Sequence, residues 1–312
     1  MPSWNDLVTD INKITDVAQR GVWLDKQQKT WISALSSKRE GRNVIFYASA
    51  FLQKPQVSPI FLQIAMEDIN GFMSVMNGMD WNKGLTLILH TPGGVTNATE
   101  TIVEYLYQKF SDIEVVIPTF AMSAGTMISL ASNRLIMGRQ SQLGPIDPQL
   151  AANGRSVSAR AIVDQFNTAK KEIMAAPASA AAWAPALQSL GPALLQEAQF
   201  ALDYGEVMVS RWLEKRHFAK YPDAKAKAAA VAKYFNRSDV NLKDVHKSHG
   251  RRIDRDEARS QGLDVIDLES DQQLQDIVLT NYHLATLVFE KTTCTKFIMG
   301  NHGKVWMKNI KL

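Results

Sequence analysis

Cysteine is almost absent from this 312-residue chain: Cys294 stands alone, so no intrachain disulfide can form and a reducing, cytoplasmic compartment is expected. A single cysteine in an apolar stretch reads as a small buried hydrophobe. Metal-ligand spacing is missing as well. No H-x-x-x-H or C-x-x-C occurs, and His217, His246, His283 and His302 sit in polar contexts. No G-x-x-x-x-G-K-S/T or G-x-G-x-x-G follows a strand-like run, which argues against ATP hydrolysis or dinucleotide binding by this chain, and no cofactor is expected. Blocks of like charge are also lacking. The lysines and arginines are interleaved with 31 acidic residues at a net charge of +4, and Lys220, Lys225, Lys227 and Lys233 read as a solvated helix face. No nucleic-acid partner is expected. The first residues, Met1 to Asp6, lack a basic patch followed by an apolar run, and no signal peptide is expected.

What is present is apolar material: 46% of residues are hydrophobic and 21% charged, enough for one large domain with an appendage. Val115 to Asn133 carries no charge and matches the length of a membrane span. Pro118 and Ser123-Ala124-Gly125 interrupt it, so a buried strand, a tight turn and a buried helix explain the same letters.

Residues 4–40 read as helical and polar, with Trp4, Leu7, Ile11, Ile14 and Val17 spaced three and four apart. Strands are expected at Asn43–Phe51, Leu85–His90, Ile113–Pro118 and Arg134–Met137. Helices are expected at about 59–77, 97–110 and Met122–Asn133. This alternation is the signature of an α/β fold with a mainly parallel sheet. Residues 1–155 are expected to form the core with its N-terminal helices. Residues 156–243 follow as a helical arm or lid hinged at the Ala/Pro-rich stretch 175–186, and 244–312 complete the core and form a tail.

Two features fall where such a sheet places an active site, at the carboxyl ends of neighbouring strands. After the first, His90-Thr91-Pro92-Gly93-Gly94, Gly93 and Gly94 let the backbone turn with its N–H groups exposed, the requirement for holding an oxyanion. The second, Ala121-Met122-Ser123-Ala124-Gly125, opens a helix after the next strand. A serine there sits beside free N–H groups and the positive end of the helix dipole. Alone, such a serine is equally a helix N-cap. The two features together point to nucleophilic chemistry.

The run LILHTPGG, followed by PTFAMSAGTMISLASNRLIMGRQSQLGPIDPQ, resembles the serine dehydrogenase proteinase family, relatives of Clp protease and of signal peptide peptidase A. Glu257-Ala258 with Gly262-Leu263 is similar to a late element of the same superfamily. The resemblance implies a ClpP/crotonase-like spiral fold with a helical arm and a serine peptidase working through an acyl-enzyme. It implies Ser123 as nucleophile and an oxyanion hole at the N–H groups of Gly94 and Ala124, beside Gly93. It also implies a homo-oligomer acting on a peptide or protein, with a membrane protein as substrate or partner in some relatives.

The Clp-type histidine is absent, because no histidine lies between Ser123 and His217. Signal peptide peptidases use a lysine several dozen residues after the serine, and Lys170 lies in that interval. It falls at the edge of a helix face made of Ile162, Phe166, Ala169 and Ile173, where desolvation would lower its pKa. Snorkelling to solvent fits the same position. The other base is His249, near where the resemblance places the third Clp triad member, with Asp147 as its orienter. A structural loop histidine, and an Asp147 that accepts backbone N–H bonds between its two prolines, fit as well. The rival to catalysis is an inactive scaffold that binds a peptide or protein in the same groove. An acyl-thioester enzyme is disfavoured because it needs no serine at the helix start.

Overall fold

Apolar runs without alternation become the centre of one sheet, since strands covered on both faces need no polar side. The computed structural model describes residues 3–152, 154–191, 193–238 and 248–311. The chain divides into two units, 1–143 with 252–312, and 144–251. Its strands are β1 (Asn43–Ser49), β2 (Leu85–His90), β3 (Ile113–Ile117), β4 (Phe120–Ala121), β5 (Arg134–Met137), β6 (Gln142–Leu143), β7 (Gln149–Ala152), β8 (Arg155–Ser158), β9 (Val265–Asp267), β10 (Cys294–Gly300) and β11 (Val305–Asn309). The helices are α1 (Trp4–Asn12), α2 (Val17–Lys38), α3 (Asp68–Met76), α4 (Thr96–Lys109), α5 (Ala124–Leu130), α6 (Ala159–Ala175), α7 (Ala180–Leu190), α8 (Leu194–Lys215), α9 (Ala224–Phe235), α10 (Arg255–Ser260) and α11 (Gln272–Lys291).

The first unit is a mixed α/β fold with a mainly parallel sheet, in the order β11-β10-β1-β2-β3-β5-β9. From β1 to β9 every pairing is parallel, whereas β10 runs antiparallel to β1 and β11 antiparallel to β10. Every residue of β1, β2, β3 and β10 is buried. On one face, Leu24, Ile32 and Leu35 of α2 and Ile277, Leu284 and Val288 of α11 join Phe46, Ile88, Val116 and Ile136 in a single core cluster. Cys294 is buried in that cluster, and burial pushes its thiol up to about 12, so it is unreactive at neutral pH. Glu114 of β3 is fully buried and paired with Arg39, Arg42 and Arg134. Burial would raise its pKa, but the hydrogen bonds from Arg39 and Thr86 outweigh burial and hold it below the usual carboxylate range.

The structure departs from the sequence expectation in two places. Residues 4–40 form two helices, because Asp16 caps α2 and leaves Val17 72% exposed. The stretch 59–77 is a 3₁₀ turn at Pro59–Phe61, an irregular segment and then α3, since other groups claim the backbone of residues 62–65. As expected, the uncharged run Val115–Asn133 divides into strand, turn and helix (β3, β4 and α5), and no helix among the described residues is long and apolar enough to cross a membrane. The Ala/Pro-rich stretch 175–186 interrupts the helices as expected: α6 ends at Ala175, Ala176 is extended, and a 3₁₀ turn leads into α7, which holds Pro185.

In the second unit, β7 and β8 form an antiparallel hairpin that precedes α6. Ala159, Ile162 and Val163 of α6 bury against Leu194, Ala198 and Leu202 of α8.

Candidate active site

Ser123 sits between β4 and α5 with φ 50° and ψ −114°. Non-glycine residues avoid this region at a cost of about 1–3 kcal/mol, and it recurs where a side chain must stand out from a sharp strand-to-helix turn. Although Ser123 occupies the N-cap position of α5, its side chain caps nothing. The simple N-cap reading therefore fails. The hydroxyl makes no hydrogen bond among the described residues.

The Gly93-Gly94 loop is laid directly against this turn. Thr91 N–H donates to the Phe120 carbonyl at 2.9 Å, and Met122 N–H donates to the Thr91 carbonyl at 3.1 Å. A side chain on Gly93, whose φ is 109°, would place its Cβ 2.7 Å from Ser123 Cβ and 2.8 Å from the Met122 carbonyl oxygen. One on Gly94 would fall onto the Ile64 backbone. Both positions thus require glycine for space. The Gly93 amide is already used, donating to Thr91 Oγ1 at 3.2 Å, so Gly93 contributes room and not a hydrogen bond to an oxyanion. The Gly94 and Ala124 amides donate to no group among the described residues, and Ala124 opens α5, where the helix dipole adds partial positive charge.

The second unit holds a carboxylate–imidazole pair. Asp147 is fully buried, and its Oδ1 lies 3.0 Å from His249 Nδ1. Arg237 clamps both oxygens, through Nε to Oδ1 at 2.8 Å and through its terminal nitrogen to Oδ2, while Ser158 Oγ donates to Oδ2 at 2.5 Å. Burial would raise the Asp147 pKa, but hydrogen bonds from His249, Arg237 and Ser158 outweigh it and hold the carboxyl below its ordinary range. An ionised carboxylate only accepts, so His249 carries its proton on Nδ1 and, when neutral, presents Nε2 as an acceptor. His249 keeps 22% of its side chain exposed.

Residues 19–175 match the ClpP-like SDH-type serine proteinases. The chain belongs to this family. Curated relatives of this SDH-type proteinase include the uncharacterized proteins MJ0137 and MJ1495 of Methanocaldococcus jannaschii. They are 37% and 36% identical to it over 92 residues, a match covering 30% of this chain and 32% of each relative. The match thus spans about a third of those relatives' length. Among solved structures, one form of a 1510-N membrane-bound stomatin-specific protease is 18% identical, covering 67% of this chain and 77% of its own at a TM-score of 0.37. A second form, in complex with a substrate peptide, is 19% identical, covering 65% and 70% at a TM-score of 0.37.

Of the residues singled out in the sequence of this SDH-type proteinase, the fold brings Ser123 against Gly93, and Asp147 against His249. Among the described residues the carboxylate of Asp147 accepts from side chains, not from backbone N–H groups as a turn residue would. Lys170 does not meet its premise. The apolar face of α6 buries Ala159, Ile162, Val163 and Ala169, whereas Lys170 is exposed, because the Ala169 position takes the edge of that face. His90 is fully enclosed by Phe51, Phe120 and Tyr282, and His246 lies outside the described residues. Arg237, Ser158 and Ile64 were missed. Their only sequence signal was polarity or apolarity in unremarkable contexts, and their importance comes from pairing across the fold.

Proposed function

We propose that this protein is a serine peptidase that cleaves peptide bonds through an acyl-enzyme on Ser123. The observation that supports it most is the strained, uncapped Ser123 turn packed on a glycine loop, with the unused Gly94 and Ala124 amides beside it. Ser123 Oγ attacks the scissile carbonyl carbon and gives its proton to a base. The carbonyl oxygen becomes an oxyanion held by the Gly94 and Ala124 N–H groups. Collapse breaks the C–N bond, the base returns its proton to the departing amine, and water then hydrolyses the serine ester by the same route. His249 is the base in this reading, since Asp147 holds its Nδ1 and leaves Nε2 free, while Lys170 is exposed on α6.

The test is intact-mass labelling with a fluorophosphonate. Wild type acquires one adduct and Ser123→Ala none. His249→Gln labels about 10²–10⁴-fold more slowly, and Lys170→Ala labels normally. Loss of labelling in Lys170→Ala with retention in His249→Gln would reverse the assignment of the base. A folded wild type that takes no adduct would leave a peptide-binding scaffold.

A further inference from the structure

The first unit buries an ion pair that the reaction above does not use. Lys296 of β10 and Asp68 at the start of α3 are both fully buried, with Lys296 Nζ 2.6 Å from Asp68 Oδ1. Exchanging such a pair for apolar side chains is often neutral or stabilising, so stability alone does not explain it; fixing a register is the better-attested role. What these side chains hold is the irregular segment between the Pro59–Phe61 turn and α3. Lys296 Nζ donates to the Gln63 carbonyl at 2.9 Å, and Asp68 Oδ2 accepts from the Ala65 N–H at 3.0 Å and from the Tyr47 hydroxyl at 2.9 Å. Ser49, which faces Lys296 across the β1–β10 register, donates through Oγ to the Leu62 carbonyl at 2.5 Å. Three buried side chains thus fix consecutive peptide groups on either side of Ile64.

Ile64 in turn holds the glycine loop. Its N–H donates to the Gly93 carbonyl at 2.8 Å, and its carbonyl accepts from the Val95 N–H at 2.9 Å. The chain has no cis peptide bond among the described residues. In a planar trans peptide the carbonyl and the N–H point in opposite directions. Binding the Gly93 carbonyl therefore turns the Gly94 N–H away from Ile64, and a flip of that one peptide would withdraw the donor.

We propose that Lys296 and Asp68 are positioning residues for the oxyanion hole: they hold residues 63–65 in the register that binds the Gly93 carbonyl and so aim the Gly94 N–H. The inference rests on the peptidase reading of Ser123. Lys296→Met alone would be a poor probe, because it would leave the fully buried Asp68 carboxyl without its cation.

The informative protein is the double variant Asp68→Leu with Lys296→Met, which replaces both charges by apolar side chains. Ser49→Ala, which removes one pin and keeps the pair, is the milder companion. Hydrogen exchange and fluorophosphonate inactivation are measured on both. The expected result in the double variant is exchange at the Ile64 and Val95 amides faster by at least about tenfold, with β2 amides unchanged. The maximal inactivation rate should fall by about 10²-fold while the probe's KI stays within about twofold, the split expected when a donor is lost only in the transition state. Ser49→Ala should move both readouts in the same direction by less. Glu114→Gln, which disturbs a buried ion pair elsewhere in the sheet, should change neither. Unchanged exchange at 64 and 95 in the folded double variant, or acceleration spread evenly over β1, β2 and β3, would overturn the proposal. An unlabelled wild type would sink the peptidase reading alone, and the exchange pattern would still decide whether the pair sets the loop.

Discussion

Lowering the pH from 7 to 5 should destabilise this protein by about 2 kcal/mol through His90 alone. The ring is completely buried at the end of β2, packed against Phe51, Phe120 and Tyr282, with Nδ1 paired to the Thr119 hydroxyl at 2.9 Å and Nε2 without a partner among the described residues. No carboxylate is among these neighbours to welcome a second proton, and burial pushes the pKa from 6.5 down to about 3. In the unfolded chain the ring titrates near its ordinary value. Between those two values the unfolded state binds the proton and the folded state does not, so the stabilising increment is complete above pH 6.5 and is lost as pH falls towards 3. At pH 5 the unfolded ring lies 1.5 units below its midpoint, which at about 1.36 kcal/mol per unit gives about 2 kcal/mol. His283 is also held below its ordinary value by burial, so wild type must be compared with His90→Asn, which keeps a polar partner for Thr119. Urea unfolding of both at pH 7, 6 and 5 should show the stability gap between them closing by about 2 kcal/mol from pH 7 to pH 5. A gap that stays constant would refute the reasoning, since it would mean that the ring is already protonated or accessible in the fold.

Two further outcomes are expected. Ser123→Gly should be more stable than Ser123→Ala by about 1–2 kcal/mol, because glycine accepts φ 50° without strain, and equal urea midpoints would show that the turn is not strained. Arg237→Met should lower stability by about 3–5 kcal/mol by leaving Asp147 buried without its fork, and a loss below about 1 kcal/mol would mean that the clamp does not form in solution.

The parts of the site that the sequence revealed are those built from neighbours in the chain. An apolar run ending in Thr91-Pro92-Gly93-Gly94, and a serine opening a run of small residues, carry their geometry in local letters, and the fold places both where the strand pattern put them. Local reasoning failed where a partner from afar overrode it. The helix expected over 59–77 was lost to Ser49, Lys296 and the glycine loop, none of which is visible from the spacing of residues 59 to 77. Lys170, for which both a desolvated and a solvent-facing position were open, is exposed: at the edge of a helix face, a few degrees decide between burial and solvent, and sequence spacing does not resolve them.

The same distinction explains what the family resemblance transfers to this chain. The matched stretch, 19–175, contains Ser123, Gly94, Ala124 and Asp147, but it ends within α6, before Arg237, His249 and Lys296. The matched stretch therefore includes the proposed serine, the proposed oxyanion donors and one carboxylate, and it is silent on what that carboxylate holds. Asp147 by itself is compatible with a turn, a structural ion pair or a triad. Within its own unit it is held by the Arg237 fork and lies 3.0 Å from the His249 imidazole, so it is no mere turn residue. The role proposed for His249 thus rests on bonds made outside the matched stretch. It should be tested by variants at 237 and 249, not by extending the motif.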